Sequence, residues 1–245
     1  MMTQQPTIVL VHGAFAESAS WSGVIERLHD HNFQVVALAN PLRGLPGDAA
    51  YLRDVLAEID APVILVGHSY GGMVITAAAA GNAKVTALVY VCAFAPAAGE
   101  SALELSTRFP GSTLGEALTA YPISQGGNEF AIRSEAFHLQ FAADVSQDRA
   151  AVMSATQRPV TEIALTTGLP TIIPAWQEIP SWFVYGDADL NIPVALHRFM
   201  AHRAGAKATH EVAGASHALS VSQPDAVTAS ILDAARATTG GAARR

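Results

Sequence analysis

A chain of 245 residues that is 50% hydrophobic and only 14% charged can bury a large core, most simply as one domain. Its formal net charge of -7 and its two lysines, Lys84 and Lys207, leave no basic stripe for a phosphate backbone, which excludes nucleic acid as a partner. The longest apolar stretch, residues 85–98, is broken by Thr86 and Pro96 and is too short to cross a bilayer, so no membrane partner is expected.

Residues 1–6 carry no cationic segment, so no secretory leader is expected and the chain reads as cytoplasmic. Strand-like and helix-like segments then alternate: a strand at 7–11, a helix at 21–29, a strand at 34–38 and a helix at 48–59. A strand at 63–66, a helix at 73–80 and a fully apolar strand at 88–91 follow. Alternation of this kind predicts an α/β fold with a mostly parallel sheet of about six strands, and strands apolar on both faces require helices on both sides. Cys92, the single cysteine, can form neither an internal disulfide nor a cysteine metal site and suits a reducing compartment.

From residue 96 to 178 the rhythm changes. Prolines and glycines cluster at Pro110-Gly111, Pro122 and Gly126-Gly127, and helical stretches are expected there without strands between them, which reads as an inserted helical cap. A strand at 181–185, a helix opened by Pro193, a strand at 208–212 and a final helix at 218–237 complete the pattern. The expected organisation is a core of residues 1–95 and 179–238, a cap of 96–178 and a flexible tail of 239–245.

Gly67-His68-Ser69-Tyr70-Gly71 fits G-x-S-x-G and lies between a predicted strand and a predicted helix. In that context Ser69 is a candidate nucleophile, lifted clear of the sheet by a strained turn. A serine hydroxyl needs a base and an orienting acid, and the loops at the carboxyl ends of parallel strands converge where both must stand. The strand at 181–185 leads into Asp187 and Asp189, which spacing alone does not separate; the last strand leads into His217, whereas His210 is pinned within that strand. The amide of Tyr70, following the nucleophile, is one candidate oxyanion donor.

The order Ser, Asp, His on an alternating chain resembles the α/β-hydrolases over nearly the whole length. In that family the acid commonly stands four residues before a proline opening the next helix, which selects Asp189 before Pro193 and leaves Asp187 to a turn. His12-Gly13-Ala14-Phe15 resembles the family's His-Gly-x loop, which implies Ala14 as the second oxyanion donor, with Phe15 its neighbour or substitute. Together with the run from Gly67 to Gly72, these residues resemble the small, capped serine esterases related to plant methylesterases and hydroxynitrile lyases. Ser69, rather than an aspartate, at the elbow disfavours dehalogenase and epoxide hydrolase chemistry. Residues 96–178 contain no lysine, which disfavours lyases of the kind that use one there.

The expected function is hydrolysis of small to medium apolar carboxylic esters through an acyl group on Ser69. The same triad serves perhydrolase, lactonase, carbon–carbon hydrolase or lyase chemistry in other settings, and the fold also serves as a ligand receptor. Phe130, Phe137 and Phe141 stand at helical spacing in the cap, whose other large residues include Phe109, Tyr121 and Met153. Phe15, His138, Gln157 and Trp176 are the expected substrate-binding residues. No metal motif and no phosphate loop occurs, so no cofactor is expected. A homodimer would form through the cap or an edge strand.

Overall fold

The structure is a computed structural model and describes residues 4–240. The chain begins with β1 (Thr7–Val11), α1 (Ser22–Asp30), β2 (Val35–Leu38), α2 (Leu45–Ala57), β3 (Val63–His68), α3 (Gly71–Ala79) and β4 (Val85–Val91). Its middle holds α4 (Ala102–Ser106), α5 (Leu114–Ala117), β5 (Leu118–Pro122), β6 (Asn128–Ile132), α6 (Ser134–Phe141), α7 (Gln147–Thr156), β7 (Val160–Thr161) and α8 (Glu162–Thr166). It closes with β8 (Ser181–Gly186), α9 (Val194–Arg203), β9 (Ala208–Val212), α10 (Leu219–Ser222) and α11 (Pro224–Gly240).

Six strands form one parallel sheet in the order β2-β1-β3-β4-β8-β9. β1, β3 and β8 are buried at every position, while the edge strands β2 and β9 are partly exposed. α3 packs on β1, β3 and β4 with α2 beside it; α11 packs on β3, β4, β8 and β9 with α1 beside it. In α1 the buried residues Val24 and Leu28 stand four apart, so one helical stripe faces the core. The strand order reverses between β1 and β3, which opens a crevice at their carboxyl ends.

The middle segment departs from the expected strand-free cap. It contains a three-stranded antiparallel sheet, β5-β6-β7, besides its helices. The β5–β6 hairpin turns through Gly126 and Gly127, at φ +90° and +81°, values that favour glycine. Its alternation was hidden because β5 is largely exposed on both faces and β7 is two residues long. The segment is tied to the core by the Arg203 guanidinium, which donates to both Glu100 carboxylate oxygens at 2.8 Å and to the Ala95 carbonyl at 2.7 Å.

The single final helix expected at 218–237 is two helices. Pro224 lacks an amide proton to continue α10, and Gln223 before it takes non-helical angles, φ -131° and ψ 52°. α11 then runs through Gly240, so the tail expected at 239–245 begins within a helix, and residues 241–245 lie outside the described residues. Among the described residues no helix is long and apolar enough to cross a membrane.

Two glycines in opposite surroundings test the packing. A Cβ at Gly72 in α3 would come within 2.1 Å of the Phe94 carbonyl oxygen, whereas one at Gly47 in α2 meets nothing within 4 Å. Gly72→Ala is expected to lower the urea midpoint by more than about 2 kcal/mol of stability, through displaced backbone. Gly47→Ala is expected to raise it by about 0.5–1 kcal/mol, through reduced freedom of the unfolded chain. Equal effects of the two would contradict this packing.

Candidate active site

Ser69 follows the last residue of β3 and precedes α3, with φ +53°, a left-handed conformation that L residues rarely hold. The surrounding glycines explain how the turn fits. A Cβ on Gly67 would meet the Gly71 carbonyl oxygen at 2.7 Å, and one on Gly71 would meet the Val11 carbonyl oxygen at 2.3 Å. The Ser69 amide donates to the Val91 carbonyl at 3.3 Å, and the Ser69 carbonyl accepts from Gly72 and Phe94 amides at 3.0 and 3.2 Å. These bonds pin the turn to β4 and to α3. The Tyr70 hydroxyl donates to Asp48 Oδ2 at 2.9 Å, and burial followed by the Asp48 charge pushes the phenol up, out of the range where it ionises.

Asp189 lies in the loop after β8 and is 4% exposed. Its Oδ1 accepts the Asn191 and Ile192 amides at 2.8 and 3.0 Å; its Oδ2 accepts His217 Nδ1 at 2.7 Å and His197 Nε2 at 3.3 Å. Burial pulls this carboxyl up, but the charge of His217 and the hydrogen bonds from His197 and His217 outweigh it and hold the group well below the usual carboxylate range. Because an ionised carboxylate only accepts, both imidazoles present N–H to it, and Nε2 of His217 is the ring nitrogen that Asp189 leaves unengaged. Asp187 instead accepts the Gly214 amide at 2.6 Å in an exposed position, bracing the His217 loop.

His68 joins the candidate base to the candidate nucleophile. Its Nε2 donates to the His217 carbonyl at 3.0 Å, and the two rings lie 4.7 Å apart, so the loop carrying His217 is fastened to the residue before Ser69. Phe141 stands edge-on to His217 at 5.0 Å and to His68 at 6.1 Å. Burial, then the His217 charge, brings the His68 pKa down to about 3, so it remains a neutral donor. The Ser69 hydroxyl has no hydrogen-bond partner among the described residues and lines a cavity of about 450 Å³. In ligand-free sites such contacts commonly tighten only when substrate binds.

Ala14 and Tyr70 both line this cavity, and the amide of neither donates to a backbone carbonyl among the described residues. Phe15 cannot substitute for Ala14, because its own amide donates to the Arg158 carbonyl at 3.0 Å. Gly13 lets the loop approach, since a Cβ there would come within 2.5 Å of Ser69 Cβ. His12 Nε2 accepts the Asn40 amide at 3.0 Å, so its Nδ1 donates to the Gly13 carbonyl at 2.9 Å. Burial lowers its pKa to about 4.

Of the four expected substrate-binding residues the structure places only Phe15 on the cavity. His138 Nε2 donates to the Val145 carbonyl at 2.8 Å within the turn after α6. Gln157 is occupied by the Ile132 amide and carbonyl, both at 2.9 Å, and completes the edge of β6. Trp176 donates to the Pro96 carbonyl at 2.7 Å and lies under Arg203. The walls are instead Leu103, Phe109, Leu114, Leu165 and Ile192, with Asn191 among them. The α4 wall is set by a capping box in which Ser101 Oγ accepts the Glu104 amide and Glu104 accepts the Ser101 amide.

Sequence reading also missed His197. Its one signal was position, on the first turn of the helix opened by Pro193. Cys92, Asp189 and His197 bring potential metal-ligating atoms within 4.8 Å of one another. The donor set fits poorly: His197 presents N–H rather than a lone pair, Asp189 already accepts four bonds, and burial holds the Cys92 thiol up in its protonated form.

The family model described as "Alpha/beta hydrolase family" matches residues 8–230. The chain belongs to the α/β-hydrolase family. This α/β-hydrolase is 28% identical over 262 residues to alpha/beta hydrolase nvfD of Aspergillus novofumigatus, covering 94% of this chain and 97% of that one. It is 39% identical over 110 residues to a carbendazim hydrolyzing esterase of a Nocardioides species, covering 40% of this chain and 46% of that protein. Its fold is similar to that of polyneuridine aldehyde esterase, with TM-score 0.80 and 21% identity over 94% of this chain and 99% of that one.

The buried histidines set a pH window for stability. His12, His68 and His197 are all held neutral below their ordinary value of 6.5 by burial first. As pH falls below that value the unfolded chain takes up protons that the folded chain refuses, so stability falls, by up to about 1.4 kcal/mol per pH unit for each histidine. Asp189 contributes stability above the ordinary carboxylate range and loses it only as pH falls through its lower folded value. Urea midpoints should therefore drop steeply from about pH 6.5 to about pH 4.5; a flat profile would show these histidines protonated in the fold.

Proposed function

We propose that this α/β-hydrolase is a serine esterase for small to medium neutral esters. The observation that carries the reading is the buried Asp189–His217 pair at 2.7 Å, fastened through His68 to the residue before a strained Ser69 that opens onto an apolar cavity. Ser69 Oγ attacks the ester carbonyl carbon while His217 Nε2 takes its proton. The C–O bond breaks, and His217 returns that proton to the departing alkoxide. Water, deprotonated by the same nitrogen, then releases the acyl group and restores Ser69. Asp189 holds the imidazole in the required tautomer and stabilises its protonated form. The Ala14 and Tyr70 amides receive the oxyanion.

No charged side chain lines the cavity among the described residues. A lyase or carbon–carbon hydrolase that relies on a charged cap group beside the carbonyl would need one on these walls, so their lack of charge among the described residues supports ester hydrolysis. The relatives named as esterase and hydrolase support the same class.

Hydrolysis of p-nitrophenyl esters of increasing acyl length tests the reading. Turnover should peak at one chain length set by the cavity and fall by more than about 10³-fold in Ser69→Ala. Asp189→Asn should lose about 10³- to 10⁴-fold, through the wrong imidazole tautomer. Full activity in Ser69→Ala would falsify the mechanism.

A further inference from the structure

Two imidazoles share one oxygen of Asp189. His217 Nδ1 and His197 Nε2 both donate to Oδ2, at 2.7 and 3.3 Å, while the Asn191 and Ile192 amides take Oδ1. His197 is held for this contact from two sides: its amide donates to the Pro193 carbonyl at 3.2 Å, and its ring is stacked on Tyr185 of β8 at 4.7 Å, with 9° between the planes. Its Nδ1 is buried without a hydrogen-bond partner among the described residues, so that nitrogen keeps its lone pair and the proton sits on Nε2. Burial, the largest cause, lowers its pKa below the ordinary histidine value, so His197 is an uncharged donor. The other titratable groups around His217 are His68 of β3, held neutral; Cys92 after β4, whose thiol donates to the Ser216 carbonyl; and Asp144 between α6 and α7, which accepts the Ser216 hydroxyl. On the side of His197, Glu211 of β9 is paired with Arg198. None of these is hydrogen-bonded to Asp189 Oδ2 among the described residues.

A hydrogen bond to a carboxylate oxygen draws on the charge that the oxygen offers its other partners. We propose that His197 is a positioning residue that moderates the candidate base: by sharing Asp189 Oδ2, it weakens the carboxylate's hold on a proton carried by His217. An imidazole must be neutral to take the proton of Ser69, so the weaker hold keeps the base active to lower pH. The base and its ester chemistry rest on the proposed function, whereas the shared oxygen and the N–H of His197 stand without it.

Two variants, both checked by thermal melting, separate the N–H from the packing. His197→Phe keeps a flat ring for Tyr185 and removes the donor; His197→Gln gives up the ring and offers an amide N–H in its place. The pH dependence of kcat/KM is recorded with a p-nitrophenyl ester. In His197→Phe the acid limb should move up by about half a pH unit, leaving the rate at the foot of the limb, relative to its own plateau, about threefold below wild type. His197→Gln should bring the limb back. A limb that stays in place or moves down in His197→Phe, or one that moves equally in both variants, overturns the proposal, since lost packing alone lowers the plateau without moving the limb. The same comparison is made without turnover, by following the Cε1–H resonance of His217 with pH in Ser69→Ala protein, assigned by its loss in His217→Gln. A resonance that moves with the donor while no ester is hydrolysed would refute the esterase reading and leave His197 in its role; hydrolysis with an unmoved resonance would refute the role. The unsubstituted protein gives a check that survives a variant's failure to fold: nitrogen-15 spectra should show His197 protonated at Nε2 alone across the limb, and a His197 that titrates there overturns the proposal.

Discussion

A carboxylate almost wholly removed from water is the constraint around which this molecule is arranged. An isolated buried charge would cost several kcal/mol, so Asp189 persists only because two backbone amides and two imidazoles meet its oxygens. Those four donors come from the loop after β8, from α9 and from the loop after β9, so the charge organises three elements at once. Its ionised oxygen, which can only accept, fixes the tautomer of the His217 imidazole through Nδ1. Asp189 is therefore a structural centre whatever its part in the chemistry, and the buried His197 ring, stacked on Tyr185 at 4.7 Å, belongs to the same arrangement.

A second constraint is close backbone approach. The elbow at Ser69 holds its left-handed conformation because Gly67, Gly71 and Gly72 admit carbonyl oxygens where a side chain would stand. The same device recurs under the base: a Cβ on Gly186 would meet the Ala215 carbonyl oxygen at 2.0 Å, so the His217 loop can lie against the end of β8. Strain at the nucleophile is thus supported by packing from β1, β4 and α3 rather than by local preference. The middle segment adds the walls. Its aromatic residue Phe141 covers the two histidines, and its α4 and α5 residues shape the space above Ser69.

Much of this was legible in one dimension because it depends on local rules. Strands covered on both sides must be apolar throughout, and the runs at 63–66 and 88–91 announced the sheet. G-x-S-x-G between strand and helix, with acids and a histidine at the ends of later strands, marked Ser69 and His217 as candidates and, with the family resemblance, Asp189; the structure puts Ser69 on the cavity and pairs Asp189 with His217. The small sheet in the middle segment was not legible, since β5 faces solvent and shows no alternation to read. Of the four residues expected to bind substrate, His138, Gln157 and Trp176 instead satisfy backbone carbonyls or amides within their own neighbourhood.

The sequence by itself determined the alternating architecture and the candidate nucleophile and base, because these follow from short-range periodicity or from position at strand ends, while the family resemblance it carries was needed to prefer Asp189 over Asp187 as the candidate acid. Only the tertiary structure decided which side chains surround the reaction. His197 and Asn191 reach Asp189 and the cavity through a helix and a turn whose partners are remote in sequence, Gln140 among them. Whether a polar side chain serves a ligand or a neighbouring carbonyl depends on what lies within about 3 Å of it, and that distance is set by how the middle segment packs on the sheet.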